Sequence, residues 1–150
     1  MLARAGEQGR PETTVAVTRG ARRACGFAVL GELPLPNGRR ADLVALAPDG
    51  ALRIIEVKSS RADLQADRKW TDYRDYCDRF YFAAPMELDT ALFPAEAGLI
   101  VADAHGGMLA REAPPLRLAP ASRRAMLVRF GSLAAERYCA LAFGEETVWL

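Results

Sequence analysis

The sequence predicts an α/β fold, a central mixed β-sheet flanked by helices, and three observations carry that expectation. Two turn signals, Pro36-Asn37-Gly38 and Pro48-Asp49-Gly50, separate three apolar runs, the pattern of an antiparallel meander. A helical segment opens at Ser60, and an aromatic strand begins at Arg79, so helices and strands intermix along the chain. With 150 residues, 51% hydrophobic and 26% charged, the chain can bury one core of its own.

Taken in order, residues 1–12 are small, polar and glycine-rich (Gly6, Gly9, then Pro11), which predicts a mobile arm ahead of a single domain over 13–150. A first helix over 13–24, with Thr13 or Thr14 at its N-cap, is stopped by Gly26. Strands follow over 27–35, 41–47 and 51–58, joined by the two turns. Ser60 with Asp63 three residues later reads as an N-cap with an acid in the first turn, opening a helix that runs to about Tyr76. Residues 79–83 form a buried fourth strand ended by Pro85, and 88–93 a short helical turn. A fifth strand over 98–102, a turn at Gly106-Gly107 and an edge strand over 108–111 complete the sheet. Helical spacing over 122–143 then aligns Met126, Leu127, Phe130, Leu133 and Ala134 on one face.

Composition narrows the function. No run approaches the ~20 apolar residues of a membrane span, and the opening residues lack the apolar core of a secretory signal, so the expectation is a cytoplasmic protein with no membrane partner. Three cysteines, Cys25, Cys77 and Cys139, form no CxxC pair and fit buried free thiols. One histidine, His105, in a glycine-rich turn and expected to be exposed, leaves zinc sites of Cys and His nearly excluded. Any catalysis rests on carboxylates and on Lys or Arg. The formal net charge of +1 hides basic ends, with six arginines between 111 and 137 and five between 1 and 25. Such a distribution is either solvated surface or a local attraction for phosphate.

One constellation bears chemistry. Asp42 lies on the second strand, and Glu56-Val57-Lys58 closes the third beside it. Alternation puts Glu56 and Lys58 on the face of Ile54, with Val57 on the face of Ile55. Two charges ending an apolar strand form either an ion pair at an exposed strand end or a site. Asp42 and Glu56 offer hard oxygen ligands for Mg²⁺ or Mn²⁺, to which the Val57 carbonyl adds another, and Lys58 supplies a compact positive charge for a phosphate transition state. A purely structural domain, by contrast, has Asp42 pointing away from Glu56.

Asp42, a turn and then Glu56-Val57-Lys58 resemble the active-site motif of the PD-(D/E)XK nuclease superfamily. The chain is more specifically similar to the MmcB-like family of bacterial DNA repair proteins. That resemblance runs through Gly38-Arg39-Arg40-Ala41-Asp42, Glu56-Val57-Lys58-Ser59-Ser60, Asp67-Arg68-Lys69-Trp70, the segment 73–83 and Gly98-Leu99-Ile100-Val101-Ala102. It implies a restriction-endonuclease-like fold and, by superfamily analogy, metal-dependent nuclease chemistry with Asp42, Glu56 and Lys58 catalytic and Asp42, Glu56 and Val57 holding Mg²⁺ or Mn²⁺. Ala41 stands where the superfamily's name has proline. Many members add an acid from the first helix, whereas between Thr13 and Gly26 this chain has none, leaving Glu12 or Glu32 as poor substitutes.

For DNA, the candidate phosphate contacts are Arg68, Lys69 and Arg74 of the second helix, with Arg39 and Arg40 before Asp42; for the last two a solvated turn serves equally well. Lys69, Tyr73 and Tyr76 form one helical stripe, and Trp70, Arg74 and Cys77 its neighbour. Trp70 and Tyr76 either pack in the core or stack on bases. The C-terminal helix, with Arg123, Arg124, Arg129 and Arg137, covers the sheet and shows a basic face. The apolar end, Thr147-Val148-Trp149-Leu150, packs back or joins a homodimer. The leading expectation is a metal-dependent deoxyribonuclease in DNA repair. Its rival is a non-catalytic DNA-binding repair factor with a nuclease-like fold, alone or with a repair-protein partner.

Overall fold

Six strands pair in the order in which the chain makes them: β1 (Ala28–Pro34), β2 (Arg40–Leu46), β3 (Leu52–Val57), β4 (Arg79–Pro85), β5 (Gly98–Asp103) and β6 (Gly106–Arg111). The computed structural model describes residues 5–103 and 105–144, with side chains from Arg10 onward. β1, β2 and β3 form the antiparallel meander that the turns demand, and Gly38 and Gly50 take φ of 83° and 87° to close them. β3, β4 and β5 are parallel, and β6 returns antiparallel, so the sheet is mixed. The expected turn at Gly106-Gly107 is instead the start of β6.

Alternation along the strands divides the core between two faces. Leu33, Val44, Ile54, Phe80, Phe82 and Leu99 face one side, Leu43, Ala45, Ile55, Val57, Tyr81 and Ala83 the other. The first side is covered by α2 (Arg61–Ala66), a 3₁₀ segment (Trp70–Tyr76) and α3 (Pro120–Phe143), whose Met126 and Phe130 are buried. The second is covered by α1 (Ala5–Cys25), which brings Val17 into that core. Two glycines permit this approach: a Cβ on Gly20 would lie 3.4 Å from the Gly107 backbone, and one on Gly107 3.1 Å from Ile100.

Three expectations are corrected. The segment read as a mobile arm is helical from Ala5, with Pro11 inside α1; Thr13 is a buried residue of that helix rather than its cap, and residues 1–4 lie outside those described. Burial of Val17 against β5 and β6 overrides the weak local propensity of a Gly- and Pro-containing stretch. The second helix does not run through to Tyr76 but stops at Asp67, in extended conformation (φ −86°, ψ 92°), before the 3₁₀ segment. The Ser60 cap is present, its hydroxyl accepting from the Asp63 amide at 3.1 Å. At three residues per turn the relevant stripe is Trp70, Tyr73 and Tyr76, all packed on the core. Trp70 lies 5.5 Å from the Phe80 ring and 5.6 Å from Phe82, which assigns it to packing rather than to base stacking. Finally, Cys77 is buried, but Cys25 and Cys139 are exposed.

Three of the four arginines of α3 are also occupied. Arg123 pairs with Asp78 through two bonds of 2.6 and 2.8 Å, Arg129 donates to the Pro34 carbonyl at 3.4 Å, and Arg137 to the Gly31 and Glu32 carbonyls at 2.5 and 3.3 Å. The expected basic face is therefore largely spent on tying α3 to β1 and to the start of β3. Asp78 in turn accepts from the Leu52 amide at 2.7 Å, and Arg123 holds its carboxyl below the usual carboxylate range. The C-terminal segment 147–150 lies outside the described residues.

Candidate active site

Pairing of β2 with β3 ends at Leu43 and Ile55, and side chains continue it. The Asp42 amide donates to Glu56 Oε1 at 2.9 Å, and the Val57 amide donates to Asp42 Oδ2 at 2.9 Å. Each carboxylate takes the place a backbone carbonyl would hold in a longer ladder, so Asp42 points toward Glu56 and not away from it. Asp42 reaches this position through a slip in alternation. Ala41 and Val44 face the same side, as do Leu30 and Leu33 on β1, and the Glu32–Asp42 pair is absent from the β1–β2 register. Glu32 absorbs the irregularity at φ 53°, a left-handed conformation costly for a non-glycine residue.

Glu56 is only 4% exposed. Burial, followed by the charge of Asp42, pushes its carboxyl up to about 8, and nearby Lys58 offsets part of the rise. Ile54 packs on the face of Glu56, while Ile55 and Val57 pack on the other, as alternation requires. Lys58 is not an exposed strand end: it is buried, its amide donates to the Ala83 carbonyl at 2.8 Å, and its ammonium lies 2.8 Å from Asp67 Oδ2. Tyr73, whose hydroxyl donates to the Arg40 carbonyl at 3.3 Å, is raised to about 12 by burial and then by Glu56, Asp42 and Asp67.

Two residues of this cluster were not anticipated. Asp67 belongs to the Asp67-Arg68-Lys69-Trp70 run but reads as helix surface, until its carboxylate is seen to bond both Lys58 and the Lys69 amide. Arg10, from the stretch taken as an arm, places its guanidinium 2.6 Å from Asp42 Oδ1. The first helix thus contributes a cation, not an acid, and Glu32 is exposed and 3.8 Å from Arg40. Among the described residues no group of three or more His, Cys, Asp and Glu could hold a metal. Asp42 and Glu56 alone still fit a hard divalent ion: two converging oxygen donors, with the Glu56 carboxyl raised first by burial and then by Asp42, gain from added positive charge.

The five candidate phosphate contacts separate into two groups. Arg39 donates to Asp72 at 3.1 Å, Arg40 is beside Glu32, and Arg74 lies over the Trp70 ring at 5.8 Å. Arg68 and Lys69 are exposed, with no side-chain ion pair among the described residues, where the chain leaves α2 next to Asp67. His105 is exposed, as expected. It helps to line a cavity of about 720 Å³ with Pro11, Glu12, Arg19, Pro85 and Asp103, which Asp42, Glu56 and Lys58 do not line.

Fold and site define a mixed-sheet α/β protein with a buried glutamate and lysine, and a half-buried aspartate beside them, at the ends of β2 and β3. The family model described as MmcB-like, "DNA repair protein MmcB-like", matches residues 3–145, and the chain belongs to that family. It is also similar to the SPO1766 protein of unknown function from Silicibacter pomeroyi, at 40% identity over 99% of this chain and 98% of that one, with a TM-score of 0.84. No curated protein matches the chain. No helix among the described residues is long and apolar enough to cross a membrane.

Proposed function

We propose that the protein is a metal-dependent phosphodiesterase acting on DNA in repair, a nuclease of the PD-(D/E)XK kind. The reciprocal bonding of Asp42 and Glu56 carries this reading, because it fixes two carboxylates side by side at a strand end despite the burial and repulsion that raise Glu56. Asp42 and Glu56 would hold Mg²⁺ or Mn²⁺, with the Val57 carbonyl as a further ligand. Such an ion, when bound, activates water and offsets phosphate charge. Lys58, oriented by Asp67, places one positive charge beside the carboxylates and stabilises the charge that develops on the phosphate. Arg68 and Lys69 sit two residues or fewer from Asp67 and suit the flanking phosphates.

A second reading, a DNA-binding repair factor that cuts nothing, draws on Arg10, which already neutralises Asp42. One experiment separates the two. Wild-type protein and Asp42→Asn are titrated with Mg²⁺ and Mn²⁺ on single-stranded, duplex and branched DNA. The nuclease reading expects cleavage that falls on the order of a hundredfold in the variant. Wild-type protein that binds DNA and cleaves none of the three substrates establishes the second reading.

A further inference from the structure

From α1, Arg10 reaches the site and bonds the Asp42 carboxylate. Its Nη2 sits 2.6 Å from Asp42 Oδ1 while the Val57 amide holds Oδ2 at 2.9 Å, so both oxygens of Asp42 are engaged. Asp63 adds to the negative field around the same guanidinium. The position is electrostatically the one a divalent ion would take, and an arginine cannot vacate it by losing its proton. It can vacate it by moving. The Arg10 side chain is 43% exposed, and the next residue is Pro11, which lacks the N–H that would tie this part of the helix to the carbonyl four residues back. The first turns of α1 are thus joined to the packed remainder, which includes Thr13 and Val17, through a weakened backbone ladder.

We propose that Arg10 is a built-in cation plug of the Asp42–Glu56 site: it occupies Asp42 when no divalent ion is bound and is displaced when one binds, which couples the first turns of α1 to metal occupancy. The plug deepens the nuclease reading and rests on it. It also accounts for a stable empty site, since Arg10 and Lys58 pair with Asp42 and Asp67 at 2.6 and 2.8 Å. Release of Arg10 frees a guanidinium next to the carboxylates, available to a DNA phosphate.

The test is calorimetric titration of Mn²⁺, without DNA, into the full chain as wild type, Arg10→Gln, Arg10→Lys and Asp42→Asn, each checked by circular dichroism. Arg10→Gln is expected to bind Mn²⁺ five- to tenfold tighter than wild type, the order of one ion pair, with Arg10→Lys in between and Asp42→Asn showing no binding. Thermal unfolding gives a second readout. Without metal Arg10→Gln melts below wild type, and saturating Mn²⁺ raises its midpoint by more than it raises the wild type's. Equal or weaker Mn²⁺ binding by Arg10→Gln overturns the plug and leaves the nuclease reading intact. Absence of binding in both wild type and Arg10→Gln overturns the metal site itself, and the plug with it.

Discussion

Asp67 holds the Lys58 ammonium at 2.8 Å at the point where α2 stops, so the break in the helix and the placement of the lysine are one event. A continuous helix would give Asp67 a helical ψ of about −40° in place of the observed 92°. The extended backbone at Asp67 instead turns its carboxylate back to Lys58, and the chain resumes as a 3₁₀ segment with Trp70, Tyr73 and Tyr76 on the core.

Removing one member of this pair is therefore costly. The two side chains are only 8% and 15% exposed, and Lys58→Met leaves a poorly solvated carboxylate without its counter-charge, a loss of about 3 kcal/mol. The double variant Lys58→Met with Asp67→Asn recovers most of it. Urea denaturation of the wild type, both singles and the double closes the cycle; single-variant losses that simply add in the double deny the coupling.

Glu56 gives metal-free protein a particular pH dependence. The folded chain keeps the Glu56 proton up to about 8, whereas an unfolded chain releases it near 4.5. Between those values the native state binds more protons, so stability falls as pH rises, by at most about 1.4 kcal/mol per pH unit, and levels off above about 8. Asp78 acts in the opposite sense in another window: its lowered carboxyl stabilises above 3.8, and that contribution is lost as pH falls. Denaturation in EDTA from pH 5 to 9 should show the decline, and Glu56→Gln should flatten it. A wild-type slope unchanged by Glu56→Gln assigns the effect to another group.

Arg68 and Lys69 are expected to carry the DNA contact. Replacing both by Ala should weaken binding to any sequence and reduce the slope of log affinity against log salt by about 2. Arg123→Ala and Arg137→Ala serve as contrasts, lowering stability through the lost contacts to Asp78 and β1 while leaving the salt slope in place. Fluorescence anisotropy across a salt series measures both, and an unaltered slope in the Arg68/Lys69 double variant removes this loop from the DNA face.

The legible parts of the fold were those set by local rules. Turn chemistry at Asn37-Gly38 and Asp49-Gly50 fixed the meander, and two-residue alternation put Glu56 and Lys58 opposite Val57. Asp67 escaped because its decisive bond goes to a lysine on another element, and nothing in the spacing of 60–76 favours a 3₁₀ period over an α period in advance. Arg10 escaped because a Gly- and Pro-rich stretch is helical only by virtue of what it packs against. The arginines of α3 resemble a solvated or DNA-facing surface in sequence, yet Arg129 and Arg137 bond carbonyls 95 to 106 positions away.

Arg129 and Arg137 also decide how this sheet can meet another. Their bonds to the Pro34, Gly31 and Glu32 carbonyls satisfy groups of the β1 border that an incoming strand would otherwise seek, whereas β6 ends the sheet with Met108, Leu109 and Ala110 exposed. A molecule with one sealed border and one available border offers a single strand for intermolecular pairing. Two copies joined antiparallel through β6 would each use that border once, an arrangement that favours a closed symmetric pair over open-ended growth.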